Sequence, residues 1–377
     1  MTELKIYHRI ADIGRDDWDR LCGTDYPFLR HDFLDALERS GSVAPETGWQ
    51  PLHLIGRDEH GAGAAMPLYL KSHSWGEYVF DWSWADAYRR HGLDYYPKLL
   101  TAIPFTPAWG PRIGCKYDDS ARWLPAMLEA VRQLAQRFDA SSWHGLFVDP
   151  ALRRAMAQTD MTLRLGCQYH WFNENYRDFD DFLSRFASRK RKNIRRERQK
   201  VIDQGIQLRR IEGPEIREDQ LAAFYDFYQA TYLKRGRQGY LNSDFFRLLR
   251  ERMPEQLLLV LAEREGEPVA AALSLKSSTT LYGRYWGCLE EYDMLHFETC
   301  YYQGIEYCIE QRLERFDPGA QGEHKIQRGF RPVETWSGHW IRHPDFAAAI
   351  GRALREEHDL MREQISELTG WLPFRRD

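Results

Sequence analysis

No CxxC pair occurs anywhere in this 377-residue sequence; Cys22, Cys115, Cys167, Cys288, Cys300 and Cys308 are scattered. Without paired spacing, neither a zinc site nor a disulfide framework is expected, and no metal is assigned. The sequence also has no GxSxG and no Ser-His-Asp spacing, so a covalent nucleophile is not indicated. No stretch approaches the roughly 18 apolar residues of a membrane span. The start, Met1-Thr2-Glu3-Leu4-Lys5, reads as neither a signal nor a transit peptide. Positive charge is not in excess either: 52 Lys and Arg stand against 56 Asp and Glu, a net charge of −4. Any attraction to nucleic acid must therefore be local. A soluble cytoplasmic protein is the expectation.

Core material is plentiful, with 43% hydrophobic residues and 14% aromatic ones. The length exceeds a usual single domain. The expected division is 1–160, 161–340 and a helical tail over 341–377. In the second domain, Leu257–Ala262 and Val269–Leu275 flank a turn at Glu265-Gly266-Glu267-Pro268, and Leu281–Trp286 follows as a third run. Such short apolar runs without helical period predict a β-meander. Apolar residues then recur at helical spacing from Phe297 to Leu313. Arg315 to Phe330 reads as a strand running into a glycine-rich polar loop.

In the first half, Leu4–Ile10 predicts a strand, Asp16–Leu21 a helix with acids in its first turn, and Phe33–Leu37 the inner face of another. Leu52–Gly56 and Ala64–Leu70 predict a hairpin across Asp58-Glu59-His60-Gly61. Trp123–Phe138 reads as an amphipathic helix and Trp143–Val148 as a strand. A helix with proline in its first turn follows over Pro150–Gln158.

Two segments carry candidate chemistry. His73 to Tyr88 is dense in aromatics and carboxylates. It reads either as a packed core edge with satisfied carboxylates or as a substrate groove in which Glu77, Asp81, Asp86 and Lys98 fix a polar ligand. The second segment begins at Phe179 as a helix and turns strongly basic. Nine of the 16 residues from Arg185 to Lys200 are Lys or Arg. Phe182, Phe186, Ile194 and Val201 fall inward, which leaves most of the charge outside. The helix is either a solvated face or a surface that tracks phosphates. The tail, 343–368, carries Phe346, Ile350, Leu354, Leu360 and Ile365 as a docking stripe, and Gly370–Arg375 is expected to pack back on a domain.

The halves share an order of elements. One reads hairpin, aromatic strand ending Trp82-Ser83-Trp84, and the pair Tyr95-Tyr96. The other reads hairpin, aromatic strand ending Tyr285-Trp286-Gly287, and the pair Tyr301-Tyr302. Duplicated α/β domains follow as an expectation.

Five strings carry a resemblance: His73–Trp82, Tyr95-Tyr96-Pro97-Lys98-Leu99, Pro104-Phe105-Thr106-Pro107, Arg189–Arg198 and Phe316–Lys325. Through them, nearly end to end, the chain resembles the FemAB-like (peptidoglycan biosynthesis/recognition) branch of the GNAT acyltransferase superfamily. The order strand, strand, strand, helix, strand, polar loop is similar to the GNAT acyl-transfer core. The resemblance implies a mixed α/β fold of two tandem GNAT-like domains, each a mostly antiparallel sheet flanked by helices. It also implies transfer of an aminoacyl group from aminoacyl-tRNA to an amine acceptor by direct attack, with no bound cofactor. The acceptor would be a peptide, a peptidoglycan precursor or a small molecule. Acetyl-CoA or another acyl-CoA is the competing donor, and a non-catalytic RNA- or peptide-binding protein of the same fold is the third reading. The coenzyme A pyrophosphate loop of many acetyltransferases is absent from Gly287–His296, which is acidic instead. This departure favours aminoacyl-tRNA.

On this resemblance Lys325 is expected beside the donor phosphate or the developing oxyanion, with Glu323 and His324 in proton transfer. Arg328 would contact phosphate. Glu77, Asp81 and Asp86 would hold the acceptor amine, with Tyr95, Lys98 and Trp286 completing the substrate-binding set. Arg189, Lys190, Arg191, Lys192, Arg195 and Arg196 would contact nucleic acid. Asp293, His296 and Glu298 are second in rank.

Overall fold

The computed structural model describes residues 3–59, 61–115, 119–234, 236–320 and 322–375. His60, in the expected turn of the first hairpin, and Gln321, in the expected polar loop, lie outside the described residues. The chain forms two units, Met1–Cys167 with Glu334–Glu363 and Gln168–Val333 with Gln364–Asp377. The stretch read as a separate tail is thus divided between them. Its helix, Pro344–Gly370, buries Ile350 and Leu354, but Leu360 is 67% exposed and leaves the expected stripe.

In the first unit, Glu3–Tyr7, His53–Asp58, Gly61–Met66 and Gly114–Cys115 form an antiparallel sheet. The helix Ser120–Arg137 turns Trp123, Leu124, Met127, Val131 and Leu134 onto one face, the spacing of an amphipathic helix. That face packs against Leu54, Met66, Leu99 and Trp143. The same helix links Lys98–Thr101 to the parallel strand Ser142–Gly145. Tyr69–Lys71 flanks the first of these strands and residues 338–341 flank the second, both antiparallel.

The second unit holds the expected meander as Leu257–Arg264, Glu267–Lys276 and Thr280–Cys288. Its first turn has two residues, Glu265 and Gly266, both at positive φ, which matches the twist of the paired strands. The helical segment Leu295–Glu310 then leads to Arg315–Asp317, parallel to Thr280–Cys288. The helix Glu218–Leu233 lies so close to the meander that a Cβ on Gly287 would stand 1.9 Å from the Phe227 carbonyl oxygen. Each unit therefore contains an antiparallel hairpin and a parallel pair joined through a helix, the shared order that the sequence carried.

The aromatic correspondence between the halves does not hold. Trp82-Ser83-Trp84 opens the helix Trp82–Arg90 rather than ending a strand. Tyr95-Tyr96 lies in a loop before the strand Lys98–Thr101, whereas Tyr301-Tyr302 is helical. The basic segment is also two helices, Phe179–Ser184 and Ser188–Asp203. Phe186, in the break between them, pairs with Phe374 and so receives the end of the chain. Strand Ile206–Glu212 and the helices Glu218–Leu233 and Ser243–Arg252 had no counterpart in the sequence reading.

Candidate active site

Thr280–Cys288 and Arg315–Asp317 stay paired for three positions only, from Thr280 with Arg315 to Tyr282 with Asp317. Just beyond, the register on the other side of the longer strand slips. Leu273 faces Tyr285 and Ser274 faces Gly283, so Arg284 is the extra residue of a bulge. A cleft of about 170 Å³ opens there, lined by Ser274, Arg284, Tyr285, Trp286, His296 and Tyr301 among others.

Arg284 would be a costly buried cation without a partner. Its guanidinium forks onto Asp317, with Nη1 to Oδ1 at 3.2 Å and Nη2 to Oδ2 at 2.7 Å. Opposite charge at this distance favours the ionised carboxyl, and Asp317 is held well below the usual carboxylate range despite its burial. Asp317 Oδ1 also accepts the Gly319 N–H at 3.0 Å. Lys325, buried at 2% exposure, donates from Nζ to the Gly319 carbonyl at 2.8 Å. Burial lowers its pKa to about 8, with Asp317 opposing the fall.

Around Lys325 the groups are aromatic and mostly neutral. Tyr301 and His324 share a hydrogen bond of 3.0 Å between the hydroxyl and Nε2. Burial, Arg328 and Lys325 lower the His324 pKa to about 4, and burial lowers that of His296 to a similar value. Arg328 stacks over Phe297 at 3.4 Å and pairs with Glu197 at 2.9 Å. Trp286, His296 and Tyr301 thus line the cleft, while Lys325 and His324 reach it only through Tyr301, with Lys325 Nζ 6.0 Å from its ring and His324 bonded to its hydroxyl. Arg328 turns to Phe297 and Glu197 instead. Glu323 is exposed and bonds to none of them.

In the first unit Glu77, Asp81, Tyr95 and Lys98 also come together, but in the interior. Lys98 Nζ donates to Glu77 at 2.7 Å, to Ser74 at 2.8 Å and to Asp81. Tyr95 donates to Asp81 at 2.6 Å and meets His144 at 3.1 Å. His144 and His339 join through their Nδ1 atoms at 2.8 Å, so one ring donates and the other accepts. Lys98 is wholly buried and Glu77 and Asp81 nearly so, which corrects the reading of these residues as the wall of an open groove. Asp86 stands apart, paired with Arg89 and Arg90 on its own helix.

The basic helix Ser188–Asp203 is two-sided. Arg195 pairs with Asp180 at 2.7 Å, Arg198 with Glu298 and Glu306, and Lys200 with Asp293 at 2.6 Å, while Lys190 bonds Gln327. Arg191 is half-buried. Arg189, Lys192 and Arg196 are exposed and have no acidic partner among the described residues.

Sequence reasoning missed the Arg284–Asp317 pair and the His144–His339 pair. A single charge inside an apolar strand, as at Arg284, was the available signal, since such a charge requires a buried counter-ion. Nothing local marks the two histidines, which lie 195 residues apart. Among the described residues no group of three or more His, Cys, Asp or Glu is arranged to hold a metal ion. No helix there is long and apolar enough to cross a membrane.

A meander, a helical segment and a parallel strand, with a cleft where the parallel pair parts, make up a GNAT-like fold. The chain belongs to the FemAB-like family, whose model, described as peptidoglycan biosynthesis/recognition, matches residues 9–376. Among solved structures it is similar to FemX, with a TM-score of 0.55 and 11% identity over 93% of this chain and 100% of that one. The C-terminal DUF2156 domain of a protein described as a lysylphosphatidylglycerol synthetase from Agrobacterium fabrum also gives 0.55 and 11%, over 90% and 95%. A conserved protein of unknown function from Bacteroides thetaiotaomicron gives 0.52 and 13%, over 89% and 99%. At these identities the likeness concerns the fold. No curated protein matches the chain.

Proposed function

We propose that the chain transfers an aminoacyl group from aminoacyl-tRNA to the amine of a peptide or peptidoglycan-precursor acceptor, in the cleft beside Lys325. The observation that carries this reading is the basic stripe of Arg189, Lys192 and Arg196, without an acidic partner among the described residues, on a chain of net charge −4. These positions are three and four residues apart, hence on one helical face, and reach about 10 Å along it. A free cationic stripe of this kind fits a phosphate backbone. The absence of the coenzyme A pyrophosphate loop from Gly287–His296 supports a donor other than coenzyme A.

The acceptor nitrogen attacks the ester carbonyl carbon; a C–N bond forms and the C–O bond to the tRNA ribose breaks. The ribose oxygen leaves with a proton, and the amine gives one up. Lys325 faces the developing oxyanion with the N–H donors that Gly319 does not use. His324, neutral near pH 7, accepts the amine proton. Positioning supplies much of the rest.

The test is binding of charged and uncharged tRNA across a salt series, with an Arg189/Lys192/Arg196→Ala variant beside the wild type. Each lost phosphate contact should reduce the slope of log K against log salt by about 0.7–0.9, so the triple variant loses about 2 to 3. Absence of binding at low salt, together with tight binding of coenzyme A, would refute the tRNA donor.

A further inference from the structure

Among the described residues the Lys325 ammonium has one hydrogen-bond partner, the Gly319 carbonyl, and that peptide is itself fixed from behind. Asp317 Oδ1 accepts the Gly319 N–H at 3.0 Å, while both Asp317 oxygens accept from Arg284. Gly319 sits at a φ of +95°, a conformation that side chains rarely adopt, so its carbonyl direction belongs to this turn. Carboxylate, peptide plane, carbonyl and ammonium form one continuous connection from the end of a buried strand to a point 6.0 Å from the ring of Tyr301, which lines the cleft.

We infer that Asp317 is a positioning residue: it fixes the Gly319 peptide whose carbonyl holds the Lys325 ammonium, and it is the buried counter-charge for that ammonium. The inference rests on the assignment of this cleft as the acyl-transfer site. Several groups bear on Lys325. Asp317 and Arg284 come from the parallel strand pair, and Cys300, Tyr301 and His296 from the helical segment. His324 and Arg328 come from its own turn, and His170 from the strand Thr162–Phe172. His170, His296 and His324 all have pKa values lowered to about 4 and are neutral near pH 7. Arg328 is answered by Glu197. Among the described residues Asp317 is thus the carboxylate that opposes both Arg284 and Lys325, and its burial keeps the interaction from being screened.

An amide at this position could still accept from Arg284 and from Gly319, but its charge would be gone. Lys325 would then release its proton more readily. The experiment is an NMR titration of the full chain labelled at lysine Cε, with the Lys325 signal assigned by its absence in Lys325→Arg. Asp317→Asn should lower the Lys325 midpoint by about one pH unit, a tenfold change in proton affinity. Arg284→Gln should move it the opposite way, since Asp317 then serves Lys325 alone; this variant also decides the matter if Asp317→Asn fails to fold. An unchanged midpoint in either variant, or a rise in Asp317→Asn toward the roughly 10.4 of a free lysine, overturns the inference. A role confined to folding would lower stability without moving the midpoint. The titration needs no substrate. A protein that titrates as described yet transfers no acyl group therefore refutes the acyltransferase site and leaves the Asp317–Lys325 linkage standing.

Discussion

Lys98 makes three hydrogen bonds and no contact with water, and two of its acceptors are carboxylates that are themselves buried. Glu77 shows the cost of that position: burial pushes its carboxyl up to about 7, against the pull of Lys98. Asp81, bonded also by Tyr95, is instead held below the usual range. Removing the shared cation should strand one carboxylate charge in the interior. Lys98→Met is therefore expected to destabilise the protein by about 3–5 kcal/mol, measured by urea denaturation, whereas the adjoining surface change Asp86→Asn should cost well under about 1 kcal/mol. Part of this cluster was legible, since Glu77, Asp81 and Lys98 stood out together, though in company with Asp86, which pairs with Arg89 and Arg90 instead. Its direction was not. Whether Glu77 faces inward depends on Lys98, 21 residues away, and no local period in 73–81 records that partner.

Among elements, the meander Leu257–Cys288 was readable because its strands are apolar, short and set off by polar turns. The helix Trp82–Arg90 was misread because Trp and Tyr favour strands on average while tertiary context decides. Helix Glu218–Leu233 was passed over because Leu221, Phe224, Phe227 and Tyr228 are buried among further aromatics, so the polar face is narrow and amphipathicity is weak. Its closeness to the meander gives a test. Gly287→Ala places a methyl against the Phe227 carbonyl, and that backbone cannot yield without moving the helix. A loss of about 2 kcal/mol or more is expected in thermal or urea unfolding. Thr231 marks the same contact, donating to the Trp286 carbonyl at 3.2 Å, so the change should also disturb the cleft wall at Trp286.

For the whole molecule, several buried imidazoles work against folding in acid, with Glu77, pushed up to about 7, acting in the opposite sense. Burial lowers the His144 pKa to about 3 and that of His170 to about 4, and His339 falls well below its ordinary value. A group whose folded pKa is depressed contributes stability that is complete above its unfolded value, near 6.5, and is lost as pH falls toward the folded value. Melting temperature should therefore drop steadily from pH 6.5 to pH 4. Each such histidine contributes a slope of about 1.4 kcal/mol per pH unit. His339→Asn removes one titrating ring and should flatten the curve; an unaltered slope would exclude its burial as a neutral base. At this scale the two-part organisation could be read from the repeated order of elements, but not the return of 334–363 to the first unit.

That return bears on synthesis. The first unit is built from Met1–Cys167 and Glu334–Glu363, with the whole of Gln168–Val333 made in between. On a ribosome producing about 5–20 residues per second, the N-terminal segment waits at least several seconds before its last strand exists. During that time His144 has no His339 to meet, and residues 142–145 lack the neighbour that 338–341 later provide. The second unit can gather almost all of its chain first, so the half of the protein that begins earlier is the half that finishes later.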